Sequence, residues 1–266
     1  MLIATMICCA LSLSWAEESD AEVIKSGTCG PNLTWQFGDM GNLTIDGTGD
    51  MDFSGGEPPW KDCMGWITTV IIKEGVTSIE DNAFEGCTSL FEVINLSTLD
   101  IRKGETDNGY VAYYAKNVFT SEDDATVSVM DEVYIFGSYE EDIYMIKFFS
   151  YSDTVYLPEN VNYGEYVICK DFFTSDKLSV LTVPYGIISV EEGAFGDVKF
   201  YDEDGVTELE ANADNLRGST FASGENGLVK QPYVDPSTNT REMSPVVAYI
   251  AGLLSVGLIV YVIRRN

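Results

Sequence analysis

Two distant segments of the chain share one pattern of apolar and polar positions. Ile67–Phe84 reads ITTVIIKEGVTSIEDNAF, and Leu178–Phe195 reads LSVLTVPYGIISVEEGAF. Aligned without gaps, Gly75/Gly186, Ser78/Ser189, Glu80/Glu191, Ala83/Ala194 and Phe84/Phe195 are identical, while Val70/Leu181, Ile72/Val183, Val76/Ile187 and Ile79/Val190 are all apolar pairs. Val70-Ile71-Ile72 and Leu181-Thr182-Val183 are β-rich triplets with alternating inward positions, which predicts a strand at the head of each unit. Lys73-Glu74-Gly75 and Pro184-Tyr185-Gly186 predict turns, with each glycine expected at positive φ. Val76, Ile79, Ile187 and Val190 then point back to the core. Ala83-Phe84 and Ala194-Phe195 close the unit with a small residue and a large wedge, and Glu80 reads as a surface position.

Partial copies set the period. Leu90-x-x-Val93 repeats Ile67-x-x-Val70 after 23 residues, and Phe172 precedes Phe195 by the same distance. Val155-x-Leu157-Pro158 matches Leu181-x-Val183-Pro184. One such unit cannot bury its apolar side alone, whereas stacked units can, so the pattern predicts a solenoid. Its expected core is Val70, Ile72, Val76, Ile79, Phe84, Leu90, Phe172, Leu181, Val183, Ile187, Val190 and Phe195. A 23-residue unit falls within the leucine-rich-repeat range.

The ends have a different character. Residues 1–16 read as an export signal, apolar and free of acids, with Ser14-Trp15-Ala16 before the expected cleavage site. Lipidation at Cys8 or Cys9 is the weaker reading, because Ile7 stands where a small residue is needed. Residues 245–263 are uncharged and long enough for a transmembrane helix, and 264–266 form a basic cytoplasmic tail, Arg264-Arg265-Asn266. The 223–244 segment, rich in Gly, Pro, Ser, Thr and Asn, reads as a stalk. Residues 199–222 read as a C-terminal cap, with a strand and turn at 200–205 and a short helix within Glu208–Leu216.

The residues Gly75–Leu90, GVTSIEDNAFEGCTSL, closely resemble the repeat signature of the BspA-type leucine-rich-repeat surface proteins. Ser26–Trp60, with SGTCGPNLTWQF, LTIDGTGDMDF and PPW, looks like the small β module that often precedes those repeats. Asn108–Val118, NGYVAYYAKNV, resembles a recurring insert of the same family. The similarity covers about 26–198. It implies a mainly β chain: an N-terminal β module at 17–66, a short leucine-rich-repeat solenoid at 67–198 interrupted by an irregular insert at about 97–153, and a C-terminal transmembrane helix. It also implies a cell-surface role in adhesion or recognition, with an extracellular protein or glycan as partner. Cys29 and Cys63 bracket the β module and are expected to form a disulfide, with Cys87 a buried free thiol.

Charge and chemistry narrow the function. Of 266 residues, 15 are basic and 43 acidic, a net charge of −28. The 13 basic and 43 acidic residues of 17–243 leave −30 on the expected ectodomain. Such a surface repels phosphate backbones and disfavours nucleic acid and anionic lipid heads as partners. The chain has no histidine and no Cys-x-x-Cys, so zinc sites and nucleophile–histidine catalysis are not expected. Asp202-x-Asp204-Gly205 fails as an EF-hand, because Phe200 and Ala211 stand at ligand positions. Asp46, Asp50 and Asp52 read as a solvated turn in preference to a calcium site. No cofactor and no enzyme activity is expected. A structural envelope component is the first alternative, and a carbohydrate-active enzyme the second. Tyr110, Tyr113, Tyr114, Tyr134, Tyr139 and Tyr144, with Phe136, Phe148, Phe149 and Tyr151, crowd the insert. They are either its packing or a ligand platform. Asn32, Asn42 and Asn95 begin glycosylation sequons, Asn95 on a predicted strand.

Overall fold

The computed structural model describes residues 22–131, 133–149, 152–173 and 178–232. The chain divides into two compact units: Met1–Ser150 with Val161–Thr174 and Ile188–Gly196, and Tyr151–Asn160 with Ser175–Ile187 and Asp197–Asn266. The expected signal, transmembrane helix and cytoplasmic tail lie outside the described residues.

The first unit begins with an antiparallel meander of β1 (Val23–Thr28), β2 (Leu33–Gly38) and β3 (Asn42–Gly47). Leu33, Trp35 and Phe37 alternate inward along β2, while Thr34 and Gln36 face solvent. Short β4 (Gly49–Asp50) and a 3-10 turn at Lys61–Trp66 lead to β5 (Thr69–Ile72), β6 (Val76–Ser78), β7 (Glu92–Asn95) and β8 (Asn117–Phe119). The sheet runs β1-β2-β3-β5-β7-β8 and is parallel from β3 onward. Val70 lies opposite Val93 and Ile71 opposite Ile94, so the 23-residue period is the pairing register itself. A second ladder, β4 with β6, runs behind the first. The N-terminal module is thus continuous with the repeats through β3 and β5.

The insert adds β8 to that sheet and then leaves it. β9 (Ser128–Met130), β10 (Tyr134–Tyr139) and β11 (Asp142–Phe148) form an antiparallel set. β12 (Thr154–Tyr156) belongs to the second unit, whereas β13 (Tyr166–Ile168) returns to pair parallel with β11, Ile143 opposite Tyr166. In the second copy of the repeat, β14 (Val180–Val183) pairs parallel with β12, and β15 (Ile187–Val190) joins β13 in the sheet β15-β13-β11-β10-β9. Among the described residues the strands fall into four sheets, the smallest being β4 with β6.

The second unit continues through β16 (Phe200–Tyr201), β17 (Glu208–Leu209), α1 (Ala213–Leu216), β18 (Ser219–Ser223) and β19 (Leu228–Lys230), in the sheet order β12-β14-β18-β19-β16-β17. The helix is one turn, capped by Asn212, whose side chain accepts from Asn215 N at 3.0 Å. The first residues of the expected stalk are strand and turn, and those from 233 on lie outside the described residues. Gly224 and Gly227 close a hairpin, and the buried Leu228 carries β19 into the sheet.

All the expected repeat-core residues are buried except Val190, which is half-buried. Phe84 stacks on Trp60 at 5.2 Å and 25°, and the Trp60 indole N–H donates to Ala83 O at 2.9 Å. Trp35 and Phe53 meet the same indole edge-on, each at 6.1 Å. Phe172 meets Phe195 edge-on at 6.4 Å.

Three expectations need correction. Neither Gly75 nor Gly186 has positive φ. A Cβ at Gly75 would lie 2.0 Å from Gly47 O, and one at Gly186 1.7 Å from Glu159 O, so close approach of the preceding coil excludes a side chain. Cys29 and Cys63 are separate buried free thiols, each packed in the core as a small apolar residue and not bridged. Burial pushes Cys29 up to about 11. Glu80 is half-buried, and its carboxylate accepts the backbone N–H groups of Phe53 and Gly55, the latter at 2.9 Å. Its repeat equivalent Glu191 does the same for Lys170 N at 2.8 Å. A carboxylate at this position ties down the preceding coil.

Two substitutions test this packing in chemical denaturation. Phe84→Ala should cost about 3–5 kcal/mol, from lost transfer energy plus the cavity beside Trp60. Glu80→Ala should cost about 1–3 kcal/mol, because two amide donors of the 53–55 turn lose a charged acceptor. Wild-type midpoints for either would reject the corresponding role.

Candidate functional site

The insert aromatics separate into groups. Tyr134 is buried against Phe148 at 5.2 Å, and burial pushes its phenol up to about 12. Phe136 and Phe148 are core residues, and Phe148 also stacks on Phe173 at 5.9 Å. Tyr144, half-buried, packs on Phe91 at 5.5 Å beneath the Lys116 ammonium, 4.5 Å from its ring. Tyr139 lies under Lys103 at 4.0 Å. Tyr110, Tyr113 and Tyr114 form an edge-to-face row at 5.5 Å and 4.9 Å, with Tyr113 45% exposed. The six tyrosines therefore do not make one platform. Tyr151 lies outside the described residues.

A groove of about 500 Å³ lies elsewhere in the first unit, lined by Asp39, Met40, Val129, Asp131, Val133, Ile135 and Phe149. Its volume is that of a small-ligand or side-chain site. The β2–β3 turn supplies Asp39 and Met40. Gly41 makes that turn possible, at φ 77 with its carbonyl accepting from Thr68 N at 2.8 Å. The β9–β10 turn supplies Asp131, at φ 53, a left-handed conformation that Asp and Asn tolerate better than most residues. Phe149 follows β11, its N–H donating to Val133 O at 2.6 Å. Asp39 and Asp131 are exposed, and Phe149 leans on Trp66 with ring centroids 4.9 Å apart.

Two buried charges support this wall. Lys147 is fully buried on β11; its Nζ donates to Asp171 O at 2.7 Å and Ser89 Oγ at 3.2 Å, and sits 4.9 Å from the Trp66 ring centroid. Burial pulls its ammonium down to about 8, against the opposing pull of Asp171. Glu92 is fully buried on β7. Its Oε2 accepts Thr126 N at 2.9 Å, Thr126 Oγ1 at 3.0 Å and Val127 N at 3.3 Å, which hangs the segment before β9 on the repeat sheet. Neither residue was singled out from sequence. Each is a lone charge inside an apolar strand, FEVIN and YMIKFF, and that is the signal that could have found them.

The remaining polar candidates serve local structure. Asp50 Oδ1 accepts Thr77 Oγ1 at 2.7 Å and Ser78 Oγ at 2.9 Å, and these bonds lower its pKa. Asp46 and Asp52 cap their own turns, and Asp204 accepts from Val206 N and Thr207 N, both at 2.8 Å. Among the described residues no three acidic or cysteine side chains converge as a metal site. Asn95 is buried with both ends of its amide engaged, by Leu99 O at 2.8 Å and Ser97 Oγ at 2.6 Å. Asn32 is exposed and Asn42 half-buried. No helix among the described residues is long and apolar enough to cross a membrane.

No family model and no curated protein matches the chain. Among solved structures, a leucine-rich repeat protein from Eubacterium ventriosum is 14% identical over 67% of this chain, with a TM-score of 0.28. This chain spans 65% of the length of that protein. The solenoid character described above rests on this chain's own parallel coils and their 23-residue register.

The buried lysine makes a pH-dependent prediction. Below pH 8 Lys147 is charged in both folded and unfolded states, and folding bears the full cost of burying the charge. Between about 8 and its ordinary 10.5 the folded state releases the proton while the unfolded state keeps it, so stability rises with pH. Wild type should therefore gain on Lys147→Met across that window, by at most about 1.4 kcal/mol per pH unit. The buried thiols and tyrosines act oppositely but equally in both proteins. Denaturant midpoints at pH 7 and pH 10 measure the difference, and a constant gap would reject the assignment.

Proposed function

We propose that the chain is a membrane-anchored cell-surface recognition protein of the BspA type, which binds an extracellular protein or glycan. The observation that carries this reading is the groove: an aromatic wall of Phe149 backed by Trp66, apolar flanks, and carboxylates at the rim. Aromatic faces with a few placed polar groups are how protein surfaces grip sugars and peptide side chains. The apolar signal and tail, the stalk and the acidic surface support an exported, anchored placement. Binding is favoured over glycoside hydrolysis because both rim carboxylates are exposed. A catalytic acid needs an apolar enclosure to stay protonated.

Two experiments test this reading. Protease applied to intact cells should release the region 17–243 and leave the tail; protection of the whole chain would reject the topology. On protein and glycan arrays the full chain should capture a ligand, and Phe149→Ala should weaken capture about tenfold or more. Equal capture by the variant, or none by either protein, would reject recognition at this groove.

A further inference from the structure

We propose that the groove receives arginine side chains from an extended segment of a protein partner; this rests on the recognition reading above. The occupant follows from chemistry on its walls. Asp39 and Asp131 are exposed at the rim, and no basic residue lines the groove among the described residues. The buried Lys147 ammonium is turned onto Asp171 O and Ser89 Oγ. Phe149 offers a half-buried ring in the same lining, packed against Trp66. A guanidinium is suited to this combination. It is planar, stacks on an aromatic face, is weakly hydrated, and forks its N–H groups onto carboxylates, whereas an ammonium does only the last, as a point charge.

Two further features favour an extended peptide as the carrier. β9, which supplies Val129, is the last strand of its sheet, so among the described residues no strand pairs along its outer edge. An added strand would present every second side chain to the same face. The net charge of −28 would also draw a basic partner in and repel an acidic one.

The test uses the purified full chain in detergent and a labelled five-residue peptide with arginine at alternate positions. The controls are the same peptide with citrulline, which keeps the shape and removes the charge, and an N-acetylglucosamine tetramer. The arginine peptide should bind about tenfold more tightly than the citrulline peptide. The double variant Asp39→Asn, Asp131→Asn should erase that preference without moving the denaturation midpoint, since Asn tolerates the backbone at both turns. Equal binding of the two peptides to wild type, or a preference that survives in the double variant, would overturn the proposal. If the sugar binds and Phe149→Ala abolishes it while neither peptide binds, the arginine assignment falls and recognition at the groove stands. If nothing binds, both fall.

Discussion

The parallel register between successive coils is the constraint on which the rest depends. Thr69 to Ile72 lie against Glu92 to Asn95, and Ile143 to Met145 against Tyr166 to Ile168, each one period apart. A parallel ladder has no short-range turn to set its alignment, so side chains within each coil must do so. The Phe84 wedge on Trp60 sets the thickness of a coil, and Gly75 lets the preceding backbone come close enough for the stack to close. Glu80 then collects the amides of the turn below. Each of these acts between neighbours, which is how a repeat array distributes its stability.

The insert uses the same stack as a foundation and then departs from it. β8 is the last strand on the first sheet, and the chain beyond it is held by Glu92, a buried carboxylate at the position that Thr69 holds one period earlier. Burying that charge is tolerable because it is met by a hydroxyl and main-chain donors. Lys147 is the counterpart on the other sheet, held by a carbonyl, a hydroxyl and an indole face. Glu92 fixes the segment leading into β9, and Lys147 lies against Trp66, the ring on which Phe149 leans.

The division of labour explains why a tyrosine-rich insert need not form a ligand platform. Ten aromatics crowd one stretch of sequence, yet Tyr134, Phe136 and Phe148 fill a core, while Tyr139 and Tyr144 lie beneath lysines. Density along the chain reports how much aromatic surface must be packed. It does not report which ring faces water, because that depends on strand pairing and on the side of the pleat each residue occupies.

The repeat itself was legible from the amino-acid sequence. Its period, strands and wedges are consequences of apolar spacing, and spacing is a local property of the chain. The acidic balance and the lack of histidine likewise need no coordinates. The reason for Gly75, the duty of Glu80 and the single thiols of Cys29 and Cys63 required the tertiary structure, because each depends on a neighbour distant in sequence. The groove required it most. Asp39, Asp131 and Phe149 share no motif and no spacing, and they meet only because a meander turn, a hairpin turn and the end of β11 are brought together by the stacked sheets.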